Sequence, residues 1–104
     1  MSTGLSTNEL AQIYTILEAV SAVDKAVLFG SRAMGVARTN SDIDIMLYGD
    51  TLQLQDIMQI NRLLDDTTLP YHFDLIRYDD VDNQALLEHV QQFGLVIFQR
   101  GDKL

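Results

Sequence analysis

Val27 to Tyr48, VLFGSRAMGVARTNSDIDIMLY, constrains this chain more than any other part of it. The stretch opens on Val27-Leu28-Phe29, an apolar run suited to a buried strand, and Gly30-Ser31 stops that run. Small residues at a strand end let the backbone approach an anion, and N–H groups at the start of a following helix would face it. Ten residues after Ser31 comes Asp42-Ile43-Asp44. On a strand, side chains alternate, so both carboxylates share one face while Ile43, Ile45 and Leu47 take the other. Neighbouring carboxylates repel unless a cation lies between them, and a divalent ion with oxygen ligands meets that need. Arg32 and Arg38 lie on the arm between the two motifs, so one stretch offers a phosphate cradle and a metal clamp.

The rest of the chain reads as elements packed around that stretch. Ser6 followed by Glu9 forms a capping box, with Leu5 and Leu10 placed for a hydrophobic staple. Leu10, Ile13, Leu17 and Val20 then recur at helical spacing, which predicts a helix over about 7–21. Tyr14 and Ile16 lie off that stripe, where they widen the core face or meet a partner. A short helical piece is expected around Arg32–Val36, then a strand over Asp42–Tyr48. Asp50 or Thr51 is a natural N-cap for a helix over about 52–65, with Asp65 and Asp66 solvated at its end. Pro70 precedes a strand, Tyr71–Arg77. There Phe73 and Leu75 face one way, and His72, Asp74 and Ile76 the other. Asp82 is placed to cap a helix over about 83–92, and Gly94 to end it. Leu95–Phe98 is the last strand, and Arg100–Leu104 reads as a loose tail. The order of elements gives an α/β (α+β) fold, a small mixed β-sheet flanked by helices, in one domain over 1–104.

Charge narrows the partners. The formal net charge of −8 works against binding nucleic-acid backbones, so a nucleotide needs a metal and local arginines to reverse the field. A basic or amphiphilic protein partner suits the same surface. Cysteine is absent, which excludes disulfides and thiolate metal sites. No apolar run approaches a membrane span, and Met1–Glu9 lacks the basic and apolar character of a leader, which together fit a cytoplasmic protein.

Three pieces carry the chemistry: Gly30-Ser31, Asp42-x-Asp44 and Asp74. A helix separates Asp44 from Asp74, which suits adjacent strands presenting three carboxylates to one place. Three oxygen donors beside a phosphate cradle describe a two-metal phosphoryl or nucleotidyl transfer site. Gly30-x₄-Gly35 is not a P-loop, because Val36-Ala37 stands where Lys-Ser/Thr is required. His72 shares Asp74's face and reads as a surface or hydrogen-bonded strand histidine, with a role near the acceptor as the alternative, and His89 as the exposed side of a helix. Neither has the spacing of a zinc site. The Asp79–Asp82 cluster reads as a turn and cap.

Gly30-Ser31, Asp42-Ile43-Asp44 and Asp74 within Phe-Asp-Leu-Ile resemble the signature of the DNA polymerase β-type nucleotidyltransferases. With so short a chain, the likeness is to the minimal nucleotidyltransferases, the MNT antitoxins that partner HEPN toxins. The resemblance implies a polymerase β-like palm fold and Mg²⁺-dependent transfer of AMP from ATP. On it, Ser31 and the Gly30 backbone hold the outer phosphates, with Arg32 and Arg38 beside them. Asp42 and Asp44 bind Mg²⁺, and Asp74 completes the acceptor-side metal and helps deprotonate the acceptor. The acceptor it implies is a tyrosine of an RNase-like HEPN toxin, held in a hetero-oligomer. Larger relatives carry a helical acceptor-binding domain, and here a second chain is expected to supply it. Met34 departs from the pattern, since relatives often carry a second arginine there. Two alternatives stand beside this reading: an antitoxin that neutralises by occlusion alone, and the catalytic subunit of a two-component small-molecule nucleotidyltransferase.

Overall fold

The computed structural model describes residues 3–38 and 40–101. Helix α1 (Thr7–Ala19) leads into strands β1 (Lys25–Phe29) and β2 (Ile43–Tyr48). Helix α2 (Leu54–Asp65), strand β3 (Phe73–Arg77), helix α3 (Gln84–Phe93) and strand β4 (Leu95–Gln99) complete the order. The four strands form one mixed sheet in the order β3-β2-β1-β4. β1 pairs antiparallel with β2 and β4, and β2 pairs parallel with β3 across α2.

Both faces of the central strands are covered, which explains why their sequences read as near-continuous apolar runs. Ala26, Leu28, Ile43, Ile45 and Leu47 pack against α1 and α2 through Ile13, Leu17, Ile57, Ile60 and Leu64. The alternate residues Val27, Phe29 and Met46 meet Val90 of α3 on the opposite face. Phe73 and Leu75 join the first cluster and Ile76 the second, as strand alternation requires. Asp44 and Asp74 therefore lie on the α3 side.

Local signals set several boundaries. Ser6 Oγ accepts from Glu9 N–H at 3.0 Å and Glu9 Oε1 accepts from Ser6 N–H at 2.9 Å, closing the capping box. Two caps fall elsewhere than the sequence suggests. Gln53 rather than Asp50 or Thr51 precedes α2, with its N–H donating to Asp56 Oδ2 at 2.8 Å. Asn83 rather than Asp82 caps α3, its Oδ1 accepting from Leu86 N–H at 3.1 Å. At α3 two equally good cap formers are adjacent, and Asn83 is the one whose side chain meets the third N–H, while at α2 Asp56 reaches back to the chain instead. The expected helical piece near Arg32 is instead a run of turns, with Met34 N–H donating to Gly30 O at 3.2 Å and Val36 N–H to Ser31 O at 3.1 Å.

Arg100 corrects the expectation of a loose tail, of which residues 102–104 lie outside the described residues. Its guanidinium donates to Val23 O at 2.9 Å and to Leu17 O, Glu18 O and Val20 O at 3.3, 3.2 and 3.0 Å. A cation here satisfies carbonyls that the end of α1 leaves open and complements the helix dipole. It ties the end of β4 to the helix most distant from it in sequence. Arg100→Ala is expected to lower stability by about 1–3 kcal/mol, in line with hydrogen bonds to a charged group, read as a shift in the urea midpoint followed by circular dichroism. An unchanged midpoint contradicts this account of Arg100.

Candidate active site

The parallel register of β2 and β3 places Asp44 directly beside Asp74, and the antiparallel register of β1 and β2 places Asp44 beside Phe29. Gly30 follows Phe29 with φ +76°. That left-handed conformation suits glycine, and a Cβ at this position would collide with the Asp44 carboxylate. The glycine bend and the two strand carboxylates thus meet at one end of the sheet. Ser31, half-buried, is the next residue along the chain.

Burial raises the pKa of Asp44 above the ordinary value, and the neighbouring charges of Asp74 and Asp42 raise it further, partly offset by His89 and His72. The cause is local: Asp44 is half-buried on a strand where Ile43, Ile45, Met46 and Leu47 are fully buried. Asp74 is exposed on the edge strand. Asp42 lies one residue before β2, so it enters the site from the strand end rather than from the pleat. It is exposed, with His72 Nδ1 at 3.7 Å from its Oδ1.

Among the described residues, no three acidic or histidine side chains are gathered closely enough to enclose a metal ion. The donors nevertheless fit a hard divalent cation in kind. All three are carboxylates, two are in register on adjacent strands, and crowding disfavours ionisation of the inner one without a counter-charge.

Arg32 is placed differently from the phosphate role the sequence suggests. The side chain is only 1% exposed. It donates to Thr3 O and Ser41 O, both at 2.9 Å, and its guanidinium lies 4.9 Å from the Tyr71 ring centroid. Tyr71 in turn donates to Glu9 Oε2 at 2.8 Å. Arg32 is therefore a buried bracket joining the N-terminal segment to the carbonyl immediately before Asp42. Arg38 is exposed on the loop, where its backbone N–H donates to Ser41 Oγ at 2.9 Å. Arg77, on the same strand as Asp74, pairs with Asp80.

His89 was placed by sequence on the open side of its helix. It is half-buried, and its Nε2 accepts from the N–H of Gly30 at 2.9 Å. The contact spans β1 and α3, and helical periodicity alone carries no sign of it. The Gly30 N–H, expected to face a phosphate, is thus already engaged.

The family model described as "Polymerase beta, Nucleotidyltransferase" matches residues 11–103. Comparison with curated proteins gives no match. Among solved structures, a chain of a toxin–antitoxin complex with AMP-PNP aligns with a TM-score of 0.71 at 24% identity, over 88% of this chain and 74% of that one. A chain from the complex of tri-AMPylated Shewanella oneidensis HEPN toxin with MNT antitoxin aligns at 0.63 and 22% identity, over 86% and 69%. A nucleotidyltransferase structure from Sulfolobus solfataricus, described as putative, aligns at 0.54 and 18%, over 88% and 80%. At these identities the structures speak to the fold, a mixed sheet with helices on both faces.

The raised pKa of Asp44 has a definite sign. Above its folded pKa the ionised carboxylate opposes folding, and that penalty disappears as pH falls through the pKa. Asp44→Asn is expected to raise the urea midpoint at neutral pH in metal-free buffer, with the gain shrinking in the acid range above pH 3.8. A midpoint that falls at neutral pH contradicts the crowding.

Proposed function

This chain belongs to the polymerase β nucleotidyltransferase family, and from that premise we propose that it is an Mg²⁺-dependent transferase that moves AMP from ATP to a tyrosine of a HEPN-type toxin and so acts as its antitoxin. The observation that carries the reading is the in-register pair Asp44 and Asp74 beneath the Gly30 bend, on a fold shared with chains from toxin–antitoxin complexes. Those complexes supply the donor and acceptor chemistry of the proposal, since one holds AMP-PNP and another a tri-AMPylated HEPN toxin.

In this reading Asp42, Asp44 and Asp74 hold the metal, which would neutralise the triphosphate and polarise the reacting phosphate when bound. The Ser31 hydroxyl and the bend it sits on orient the outer phosphates. Gly30 contributes the close approach that only a residue without a side chain permits, and Arg38 is the arginine of the arm left to meet phosphate. Arg32 contributes by fixing the peptide that leads into Asp42. The acceptor hydroxyl attacks the α-phosphorus in line. Its oxygen–phosphorus bond forms as the bond to pyrophosphate breaks, and its proton passes to the Asp74 carboxylate. Net negative charge suits a basic or amphiphilic partner, and the partner chain seats the acceptor tyrosine. The whole of 1–104 is one catalytic domain in this proposal.

A second reading is favoured by the burial of Arg32, which removes a guanidinium from the phosphate bend: an antitoxin that occludes its toxin without chemistry. One experiment separates the two. Incubating the chain with ATP, Mg²⁺ and its helical partner is expected to add AMP mass to a partner tyrosine, and Asp42→Ala/Asp44→Ala is expected to reduce labelling by at least about a thousandfold, the scale on which core catalytic groups act. Absence of added mass, with neutralisation preserved in the double variant, contradicts transfer and supports occlusion.

A further inference from the structure

His89 belongs to none of the motifs that identify the site, yet it makes a specific contact with the glycine bend. Its ring lies edge-on to Phe29, with centroids 6.2 Å apart and planes at 77°, and tilted against Phe93 at 5.4 Å and 41°. These two aromatic walls hold the imidazole so that Nε2 accepts from Gly30 N–H at 2.9 Å. Acceptance at Nε2 assigns the ring proton to Nδ1.

Gly30 needs such a restraint. It occupies the left-handed region at φ +76°, and glycine has no side chain of its own to hold a peptide plane. One side of the residue is walled by Asp44, which a Cβ would strike. On the other side, the only restraint on its amide among the described contacts is the imidazole. Asp44 and His89 thus hold the entry to the bend, while Met34 N–H, donating to Gly30 O at 3.2 Å, holds its exit toward Ser31.

We infer that His89 is a positioning residue of the phosphate bend: by taking the Gly30 N–H it fixes the Phe29–Gly30 peptide, from which the bend carries Ser31 toward the nucleotide. The inference rests on the nucleotidyl-transfer reading for the identity of the ligand, a nucleoside triphosphate. It also removes the Gly30 N–H from the set of phosphate donors, leaving the Ser31 end of the bend to make that contact. Helix α3, which otherwise buries only Val90 fully, becomes part of the site through this one side chain.

Two measurements test it on the intact chain. In ¹⁵N-labelled wild type, an N–H···N hydrogen bond transmits a scalar coupling, so a cross-peak between Gly30 N and His89 Nε2 is expected. Titration with a fluorescent ATP analogue and Mg²⁺ is expected to give a dissociation constant about tenfold weaker for His89→Leu, the size of one lost hydrogen bond. His89→Gln, whose side-chain oxygen can reach the same N–H, is expected to recover most of that loss, a rescue that simple ring packing does not provide. No cross-peak in the wild type, or equal affinity for the Leu variant and wild type, overturns the inference, and the first of these needs no variant to fold. A wild-type chain with the cross-peak, ATP binding and Gln rescue but no AMP transfer supports the positioning role and contradicts the transferase reading.

Discussion

Everything at the site follows from one repulsive arrangement, two carboxylates side by side on adjacent parallel strands. Asp44 and Asp74 occupy equivalent register positions, so the sheet itself holds their backbones side by side. Burial of Asp44 makes the cost greater, and the nearby Asp42 adds to it. A structure does not retain such crowding for stability, since an amide or alkyl group at the same place removes the repulsion. On the proposed function, the arrangement would become favourable when a divalent cation took the carboxylates as ligands beside the glycine bend that Asp44 walls.

The surrounding fold reads as support for that point. Strands β1 and β2 are covered on both faces and so hold the register rigidly. Asp44 is half-buried among them. Arg32 ties the Ser41 carbonyl to the N-terminal segment, which fixes the peptide before Asp42. His89 does the corresponding work for Gly30 from the other side. The site is thus braced by one buried side chain from the loop and one half-buried side chain from α3, and neither is a carboxylate.

Much of this was legible from residue order, and the rest was not for a physical reason. Alternation gave the faces of Ile43–Tyr48 and Phe73–Arg77 correctly, because period two leaves a side chain no other choice, but Asp42 lies just outside β2, where that rule does not reach. The capping box at Ser6 and the stop at Gly94 are local signals, and both hold. Arg32 misled because a guanidinium beside glycines looks alike in sequence whether it meets phosphate or carbonyls. Its partners Thr3 and Tyr71 lie 29 and 39 residues away, and only folding brings them in. His89 to Gly30 spans 59 residues and Arg100 to Val23 spans 77, so no window along the chain contains either contact. Caps at α2 and α3 slipped by one to three residues because several polar residues compete at each start and reach decides among them.

The central claim is that these carboxylates exist to hold a cation beneath the bend. It is tested most directly by titrating the ¹⁵N-labelled chain with substoichiometric Mn²⁺, whose unpaired electrons broaden nearby amide signals. The account predicts selective loss of the signals of residues 42–44, 73–75 and 30–31, reversal by excess Mg²⁺, and no selective loss in Asp44→Asn/Asp74→Asn. Broadening spread over the acidic surface, or unchanged in the double variant, would contradict it.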